Sequence, residues 1–435
     1  MRCAWAALRV AWLNQRSFTS ITSVAAAQAP VGAYTPITKA LWLERLAGGH
    51  GAALQTESGE LQPPKTLVYS FGASDGEAYV LKETYRNPWG SIRLGRLLED
   101  LDSLAGSIAW QHCRQPDQQG AAAAPLDPTQ GAPSAQPLLV TASVDEISTQ
   151  HPITLDADML MQGQVVWTGS SSLDIQMQVL QPTKHKEPSL TALFSFVQLD
   201  PVSLRPSPVR PLLPTSPHQR HVWQQRQSLA EQRKKARQEA AAAGGTTPVS
   251  AEARAFCAPL VAEYRRLKEM PALTSGAAGV PMAATSLENA FVCQPQQRNM
   301  HGRIFGGFLM RRAFELAFAT TYTFAGCRPE FASCEEVTFR CPVDVGDLLR
   351  FRSLVLHTVP NQGLVCVGVE ATVSRPETGY FQSTNNFTYV FKVQPRGSAL
   401  RRVLPGNEEE ALRAWACHLR LAEKAERSQA AQHPA

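Results

Sequence analysis

Charged residues are scarce in this chain, at 18% of its 435 residues, which argues against a long coiled coil. No run of about 20 residues is both uncharged and strongly apolar, so the sequence predicts no transmembrane span. The nine cysteines lack the paired spacing that binds zinc, and their odd number fits a reducing compartment better than a disulfide framework. Hydrophobic residues still reach 44%, enough to fill the cores of the roughly two or three domains that this length predicts.

The first 29 residues contain no acidic side chain but carry three arginines, Arg2, Arg9 and Arg16. Because these arginines are seven positions apart, a helix would align them on one face and place apolar side chains on another. An amphipathic, arginine-bearing segment without acids is typical of an organellar transit peptide. We therefore predict a transit peptide over residues 1–29 and a mitochondrial matrix location, with a plastid as the alternative.

Three further segments are predicted to be an insert or linkers. Residues 114–137 are of low complexity and rich in Pro, Ala and Gln, which indicates an insert that does not pack. Residues 200–217 carry six prolines and are predicted to run extended. Residues 219–243 combine strong helix formers with a basic surface, which predicts an interdomain helix. The net charge of +5 is concentrated in this linker region and in the N-terminal arginines, so the remaining chain is acidic.

Two blocks of the sequence share one order of predicted elements, namely a strand, a long apolar helix and four further strands. One helix wrapped by an antiparallel sheet is an α+β architecture. We predict a first domain at 60–200, a linker at 201–280, a second domain at 281–395, and a C-terminal helix or tail at 396–435. The predicted helices are 94–110 and 305–324, and the predicted strands are 66–71, 138–147, 164–168, 173–180, 192–199, 286–293, 335–339, 348–356, 364–373 and 383–393.

The two blocks share residues as well as elements. Residues 87–95 (NPWGSIRLG) align with residues 299–307 (NMHGRIFGG), so that Asn, Gly, Ile and Gly recur 212 positions apart. Because these matches fall at the same point of two similar element orders, they indicate an internal repeat.

Glycines cluster just before the second predicted helix, at Gly302, Gly306 and Gly307. Glycine allows a ligand to approach the backbone closely. The first N–H groups of a helix lack internal partners, and the helix dipole favours negative charge there. An acyl carbonyl whose oxygen becomes anionic in the transition state would suit such a position. Tight packing of the helix on a sheet is the alternative explanation.

Asp102 is the strongest candidate for acid–base chemistry in the first predicted helix. It borders the stripe of leucines, whereas Asp100 points away from that stripe. A poorly solvated carboxylate can be basic enough to activate water. The alternative is a solvated surface cluster of Glu99, Asp100 and Asp102. The second helix has Phe314 at the equivalent position, followed by Glu315, so two complementary half-sites predict one working site at the domain junction.

Residues 303–319 (RIFGGFLMRRAFELAFA) with the preceding Asn299, and residues 93–106 (RLGRLLEDLDSLAG), resemble the mitochondrial acyl-coenzyme A thioesterase 9 family. The resemblance runs from about residue 66 to residue 393. It implies two tandem hotdog domains, each a long helix wrapped by an antiparallel sheet, which form a pseudo-dimer. It also implies hydrolysis of fatty acyl-CoA to free fatty acid and CoA, without a cofactor, by a homo-oligomer.

The resemblance further implies roles for individual residues. Asn299 would orient water or the thioester carbonyl, and Asp102 would act as general base or as nucleophile. The backbone of Gly306 and Gly307, with Gly302, would bind the oxyanion and the substrate. No metal is implied.

Several alternatives stay open at this point. A second site could use Asn87 and Glu315. A hotdog protein could instead be an enoyl-CoA hydratase or dehydratase, although that chemistry usually needs a paired His and acid.

A non-enzymatic protein could bind RNA or a membrane through the basic helix at 219–243. No nucleic-acid partner is expected, however, because acids interrupt the helix and aromatic side chains are few. Candidates for CoA phosphate binding, by charge alone, are Arg340, Arg350, Arg352 and Lys392.

Overall fold

The structure is a computed structural model that describes residues 34–46, 64–73, 75–114, 138–242, 249–270, 279–299, 302–335, 337–395 and 399–432. The predicted transit peptide lies outside these residues, as does the predicted insert apart from Arg114. The fold is α+β, as the sequence predicts. The helices are α1 (Pro36–Leu46), α2 (Gly76–Tyr85), α3 (Leu94–Cys113), α4 (Pro217–Ala242), α5 (Ala251–Glu269), α6 (Gly306–Ala325) and α7 (Glu408–Gln432). The strands are β1 (Lys65–Tyr69), β2 (Leu138–Thr149), β3 (Met159–Thr168), β4 (Ser172–Leu180), β5 (Leu190–Leu199), β6 (Gly279–Pro281), β7 (Leu287–Val292), β8 (Glu330–Cys334), β9 (Val337–Phe339), β10 (Leu348–Val359), β11 (Leu364–Arg375), β12 (Tyr380–Lys392) and β13 (Arg402–Leu404).

Eleven strands of the described chain form one antiparallel sheet in the order β1-β3-β4-β5-β2-β8-β12-β11-β10-β7, with β9 beside both β2 and β12. The strands before residue 200 occupy one side and those after residue 286 occupy the other. They meet where Ile147 of β2 lies opposite Cys334 and Val144 lies opposite Val337. Side chains along β3 alternate between buried and half-buried, which is the pattern of a strand with one face on the core.

Two long helices, α3 and α6, lie against each other and against the strands of their own halves. Each has 20 residues, and they begin and end 212 positions apart. Their contact is close because glycine faces the partner helix. A Cβ on Gly95 would lie 2.9 Å from Cγ of Arg311, and a Cβ on Gly307 would lie 2.9 Å from Cα of Glu99. The two halves therefore meet both in the sheet and along this helix pair.

The turns that lead into α3 and α6 repeat the same geometry. Gly90 and Gly302 have positive φ angles of 77° and 80°, a conformation that favours glycine. Their N–H groups donate to the carbonyl oxygens of Asn87 and Asn299, at 3.0 and 3.2 Å respectively. The repeat seen in the sequence is therefore also a repeat of backbone conformation.

The basic helix predicted at 219–243 is α4, which lies beside β3. The Arg226 guanidinium binds the carboxylates of Asp174, at 2.7 and 2.9 Å, and of Asp145, at 2.6 Å. Arg233 also pairs with Asp145 at 3.0 Å. These cations neutralise buried acids of the first half, which leaves them unavailable to a polyanion.

Helices α1, α2 and α5 were not predicted from the sequence. Helix α1 was missed because polar and charged residues face the core together with apolar ones such as Trp42. Thr38 is fully buried, and Arg45 is 9% exposed. The apolar stripe that marks a helix is therefore incomplete. No helix among the described residues has the length and apolar character needed to cross a membrane.

Candidate functional site

Asp102 of α3 is buried, with its carboxylate at the start of α6. One carboxylate oxygen, Oδ2, accepts a hydrogen bond from the N–H of Gly307 at 2.8 Å. The other, Oδ1, accepts one from the hydroxyl of Thr141 on β2 at 3.0 Å. Burial raises the pKa of Asp102 to about 6, and the two hydrogen bonds oppose that rise because they stabilise the ionised form. The group is therefore ionised at neutral pH, yet basic enough to accept a proton from water.

A solvated surface cluster of Glu99, Asp100 and Asp102 is ruled out, because all three are buried, with exposures of 1%, 0% and 3%. Glu99 pairs with Arg311 of α6 at 3.2 Å and with Arg96 at 3.1 Å. Burial still has the larger effect and raises the pKa of Glu99 to about 7. The leucine stripe marks only the face of α3 that meets the sheet, whereas α1 and α6 cover other faces.

Asp100 points away from the leucine stripe, as predicted, but towards α1 instead of solvent. Its Oδ1 accepts hydrogen bonds from Thr35 and from Thr38, the latter at 2.9 Å. Its Oδ2 accepts hydrogen bonds from Tyr69, at 2.9 Å, and from Tyr85. Burial raises the pKa of Asp100, and these hydroxyl groups counteract the rise. Asp100 therefore fixes α1, β1 and the end of α2 on α3.

A cavity of about 420 Å³ lies beside Asp102, and Asn299, Gly306 and Thr141 also line it. We call it the Asp102 cavity. The two predicted catalytic residues, which come from different halves of the chain, thus share one space. The apolar part of its lining includes Leu139, Phe196, Val197, Leu199, Ile304, Leu309 and Phe339.

Asn299 is held at the cavity by the turn that it begins. Its Oδ1 accepts a hydrogen bond from the N–H of Arg303 at 3.2 Å. Gly302 was predicted to contact substrate, but it is exposed and is not part of the cavity lining. Its positive φ instead permits the turn that places Asn299, so the structure assigns Gly302 a conformational role.

The two predicted oxyanion donors at the start of α6 have different roles. The Gly307 N–H is already bound by the Asp102 carboxylate, so its predicted role as an oxyanion donor is corrected. The Gly306 N–H makes no hydrogen bond with any described residue, and Gly306 lines the cavity. A Cβ on Gly306 would lie 3.1 Å from Oδ2 of Asp102. Gly306 therefore offers an N–H donor, and its lack of a side chain leaves the Asp102 carboxylate open to a ligand.

A second, larger cavity of about 1420 Å³ is lined by Asn87 and Glu315, the residues proposed for a second site. The Asn87 side chain is engaged in its own turn. Its Oδ1 accepts hydrogen bonds from the N–H groups of Trp89 and Ser91, both at 3.0 Å, and its Nδ2 donates to the carbonyl of Ile92 at 3.2 Å. The amide of Asn87 therefore serves the local backbone.

Glu315 is also engaged, since it pairs with Arg93 at 2.7 Å and with Arg312 at 3.5 Å. At the positions equivalent to Asp102 and Gly306 in the Asp102 cavity, this cavity has Phe314 and Leu94. It therefore lacks the buried carboxylate and the open helix entrance, and nothing in it reproduces the chemistry of the Asp102 cavity.

The cations suggested for phosphate binding separate into two groups. Arg340 lines the Asp102 cavity, and Lys392 lines the larger one. Arg350 and Arg352 instead pair with Glu288 on the surface of the sheet, at 2.7 and 3.4 Å.

Thr141 and Arg45 are among the polar side chains of the Asp102 cavity that were not predicted from the sequence. Threonine is an ordinary residue of a strand, so nothing in the sequence of β2 distinguishes Thr141 from its neighbours. Arg45 belongs to α1, which was not predicted. Within the described ranges, no group of three or more His, Cys, Asp or Glu side chains could hold a metal ion.

No family model matches the chain. It is 38% identical over 411 residues to acyl-coenzyme A thioesterase 2, chloroplastic, of Humulus lupulus, covering 87% of each chain. It is 32% identical over 327 residues to acyl-coenzyme A thioesterase 9, mitochondrial, of Homo sapiens, covering 72% of this chain and 67% of that one. A solved acyl-CoA hydrolase from Staphylococcus aureus matches 35% of this chain and 95% of its own, with a TM-score of 0.32 and 23% identity. The two curated relatives confirm the resemblance, and the chain belongs to the acyl-coenzyme A thioesterase family.

Proposed function

We propose that this protein hydrolyses fatty acyl-CoA to free fatty acid and CoA in the Asp102 cavity. The observation that carries the proposal is the pairing of a buried carboxylate with an unengaged helix N–H across the junction of the two halves. Asp102 has a pKa of about 6, raised by burial, and the Gly306 N–H has no partner among the described residues. A general base and an oxyanion donor that face one apolar cavity suit the hydrolysis of a thioester.

In the mechanism that we propose, a water molecule attacks the thioester carbonyl carbon while Asp102 accepts one of its protons. The carbonyl oxygen becomes anionic and accepts a hydrogen bond from the Gly306 N–H, at the positive end of the α6 dipole. Asn299 orients the water or the carbonyl group. The bond between carbon and sulfur then breaks, the thiolate of CoA takes the proton from Asp102, and the free acid leaves.

The architecture that supports this site is a pair of tandem hotdog domains, at 60–200 and 281–395, which form a pseudo-dimer. The repeated turns and the two matched 20-residue helices support this arrangement. The segment between them, at 201–280, would be a linker that contains α4 and α5, and residues 396–435 would be a C-terminal extension that contains α7. We further propose import into the mitochondrial matrix and assembly into a homo-oligomer. One relative is named mitochondrial and another chloroplastic, so import into an organelle is common to both names.

The proposed function is tested with a saturated acyl-CoA and the matching 2-enoyl-CoA, assayed side by side for CoA release and for loss of the enoyl group. We expect CoA release from the saturated thioesters, and a chain-length series would define the preferred acyl group. Hydration of the enoyl-CoA without release of CoA would instead support the hydratase alternative. The described lining of the Asp102 cavity includes no histidine to support that chemistry.

Substitution of Thr141 by valine is expected to move the acidic limb of the pH profile of kcat/KM to higher pH. The Thr141 hydroxyl stabilises the ionised form of Asp102 and lowers its pKa, so its removal raises that pKa. Asp102 can act as a base only when it is ionised. With a higher pKa, it becomes ionised, and the enzyme becomes active, only at a higher pH. Profiles between about pH 5 and 9 measure this shift. The matched control is Ser143→Ala, which lies two positions along the same strand and outside the cavity lining. An unchanged acidic limb of the pH profile in Thr141→Val would contradict the assignment of Asp102 as the base.

A further inference from the structure

Arg45 is a buried cation of the Asp102 cavity that has no ionic or hydrogen-bonding partner among the described residues. It is 9% exposed and lines the cavity. Its side chain forms no ion pair or hydrogen bond with any described residue, and its Nε is buried without a partner. Burial lowers the pKa of Arg45 to about 10, so the guanidinium remains protonated at neutral pH. Because an unpaired buried charge is strongly unfavourable, such a group favours a partner that none of the described residues supplies.

The position of Arg45 places it beyond Asp102 along α3. Its Nη1 lies 3.8 Å from the point where a Cβ on Gly106 would stand. Gly106 follows Asp102 by four residues, which is about one helical turn, or about 6 Å along the axis. The ring of Phe196 lies equally close to that point, at 3.8 Å. Gly106 therefore lies beside the guanidinium of Arg45, and both residues line the cavity together with Asp102.

The stacking of Arg45 on Trp110 supports the orientation of the guanidinium but does not neutralise it. The guanidinium carbon lies 5.8 Å from the centre of the Trp110 ring. Arg114 stacks on the same ring at 5.3 Å and is not part of the cavity lining. A cation–π contact contributes about 0.5–2 kcal/mol, well below the desolvation penalty of several kcal/mol for a buried ion.

The ligand atoms that reach Arg45 should come from the acyl group and not from the nucleotide of CoA. Arg303 and Arg340 also line the cavity, and both are more exposed than Arg45. They are suited to the large, strongly hydrated phosphates at the open side. Arg45 is instead buried in the lining, and a carboxylate at the end of a short acyl chain is small enough to bind at such a position.

We propose that Arg45 binds the terminal carboxylate of a dicarboxylic acyl group, so that among short acyl groups of equal length the Asp102 cavity favours the one with a terminal carboxylate, as in glutaryl-CoA. This inference rests on the proposed thioesterase activity. A carboxylate would supply the charge and the acceptors that the guanidinium lacks, in a geometry that arginine binds through two parallel hydrogen bonds.

The test compares glutaryl-CoA with valeryl-CoA, which has the same five-carbon acyl chain but no terminal carboxylate. For the wild-type protein we expect a higher kcat/KM with glutaryl-CoA. In Arg45→Met, kcat/KM for glutaryl-CoA should fall by about 10- to 100-fold, the usual effect of losing a hydrogen bond to a charged group. The value for valeryl-CoA should rise, because an apolar side chain then meets its methyl end. Arg45→Lys should retain part of the preference.

Arg114→Met is the matched control, because it removes the other cation stacked on Trp110 without changing the cavity lining. An equal fall with both substrates in Arg45→Met would indicate a structural role and would overturn the proposal, as would an unchanged ratio. Free CoA could also inhibit Arg45→Met more weakly, by the same factor as the loss of kcat/KM with glutaryl-CoA. That result would show that Arg45 binds the phosphates of CoA and would also overturn the proposal. If the wild-type protein releases CoA from neither of these thioesters nor from any member of the saturated acyl-CoA series, the proposed function fails. Calorimetric binding of glutaryl-CoA and valeryl-CoA to wild type and Arg45→Met then still decides the role of Arg45.

Discussion

Replacement of Asp102 by asparagine is expected to lower kcat for acyl-CoA hydrolysis by about 10²- to 10⁴-fold, the usual effect of losing a general base. The fold should survive, because an asparagine can keep both contacts. Its carbonyl oxygen can accept the Gly307 N–H, and its amide can donate to the hydroxyl of Thr141. Release of CoA under saturating substrate measures the effect.

The same substitution should stabilise the protein at alkaline pH. The pKa of Asp102 rises from 3.8 to about 6 on folding because the carboxyl group is buried. The folded state therefore holds the proton more tightly than the unfolded state, and wild-type stability falls as the pH rises from about 4 through 6. A neutral asparagine lacks this dependence. Above about pH 7 the gain in the free energy of unfolding should approach about 3 kcal/mol at most, and below about pH 4 it should vanish.

Glu288→Gln serves as the control, because it removes one negative charge from an exposed pair with Arg350 on the sheet surface. It should leave kcat close to the wild-type value. Near-full turnover by Asp102→Asn would rule out Asp102 as the general base. Loss of turnover together with a lower free energy of unfolding would show that the carboxylate acts on the structure and not on water.

Substitution of Asp100 by alanine is expected to destabilise the protein by at least about 4 kcal/mol, because four buried hydroxyl groups would lose their acceptor. These belong to Thr35, Thr38, Tyr69 and Tyr85. Each unsatisfied buried group costs about 1–3 kcal/mol, and removal of the buried charge offsets part of that total. Urea denaturation, extrapolated to water, measures the change.

Asp100→Asn provides a graded comparison, since an asparagine keeps one acceptor oxygen and its amide can donate to hydroxyls that rotate. It should be less destabilising than alanine. The single substitution Tyr69→Phe removes one hydrogen-bond donor and should lower the free energy of unfolding by less than either substitution of Asp100. Wild-type stability in Asp100→Ala would contradict the view that this carboxylate fixes α1 and β1 on α3.

Much of the fold could be predicted because the two halves bury regular patterns. Runs rich in Val, Ile, Leu and Phe marked most strands, and the leucine stripe marked α3, which begins at the predicted residue. The missing helix α1 shows the limit of such patterns. Its buried face carries Thr38, which donates to Asp100 of α3, and Arg45, which stacks on Trp110 of α3. Its own sequence therefore shows no clean apolar stripe.

Part of the site could be predicted as well. The position of Asp102 beside the leucine stripe pointed to that residue, the resemblance implied a role for Asn299, and the structure brings these two residues to one cavity. The roles of the two glycines at the helix entrance could not be separated in this way. Only the fold shows that the Gly307 N–H binds Asp102, across 205 positions of the chain, while Gly306 remains open.

The sequence alone thus determined the α+β class, the repeated turn and helix, and the residue types available for catalysis, because these depend on local periodicity and on spacing along the chain. The tertiary structure decided the chemistry of each group. Desolvation depends on what surrounds a side chain, and burial raises the pKa of both Asp102 and Asp100. The fold also places Arg45 in the cavity lining, where it has no ionic partner among the described residues. These surroundings come from segments distant in sequence, which no local pattern records.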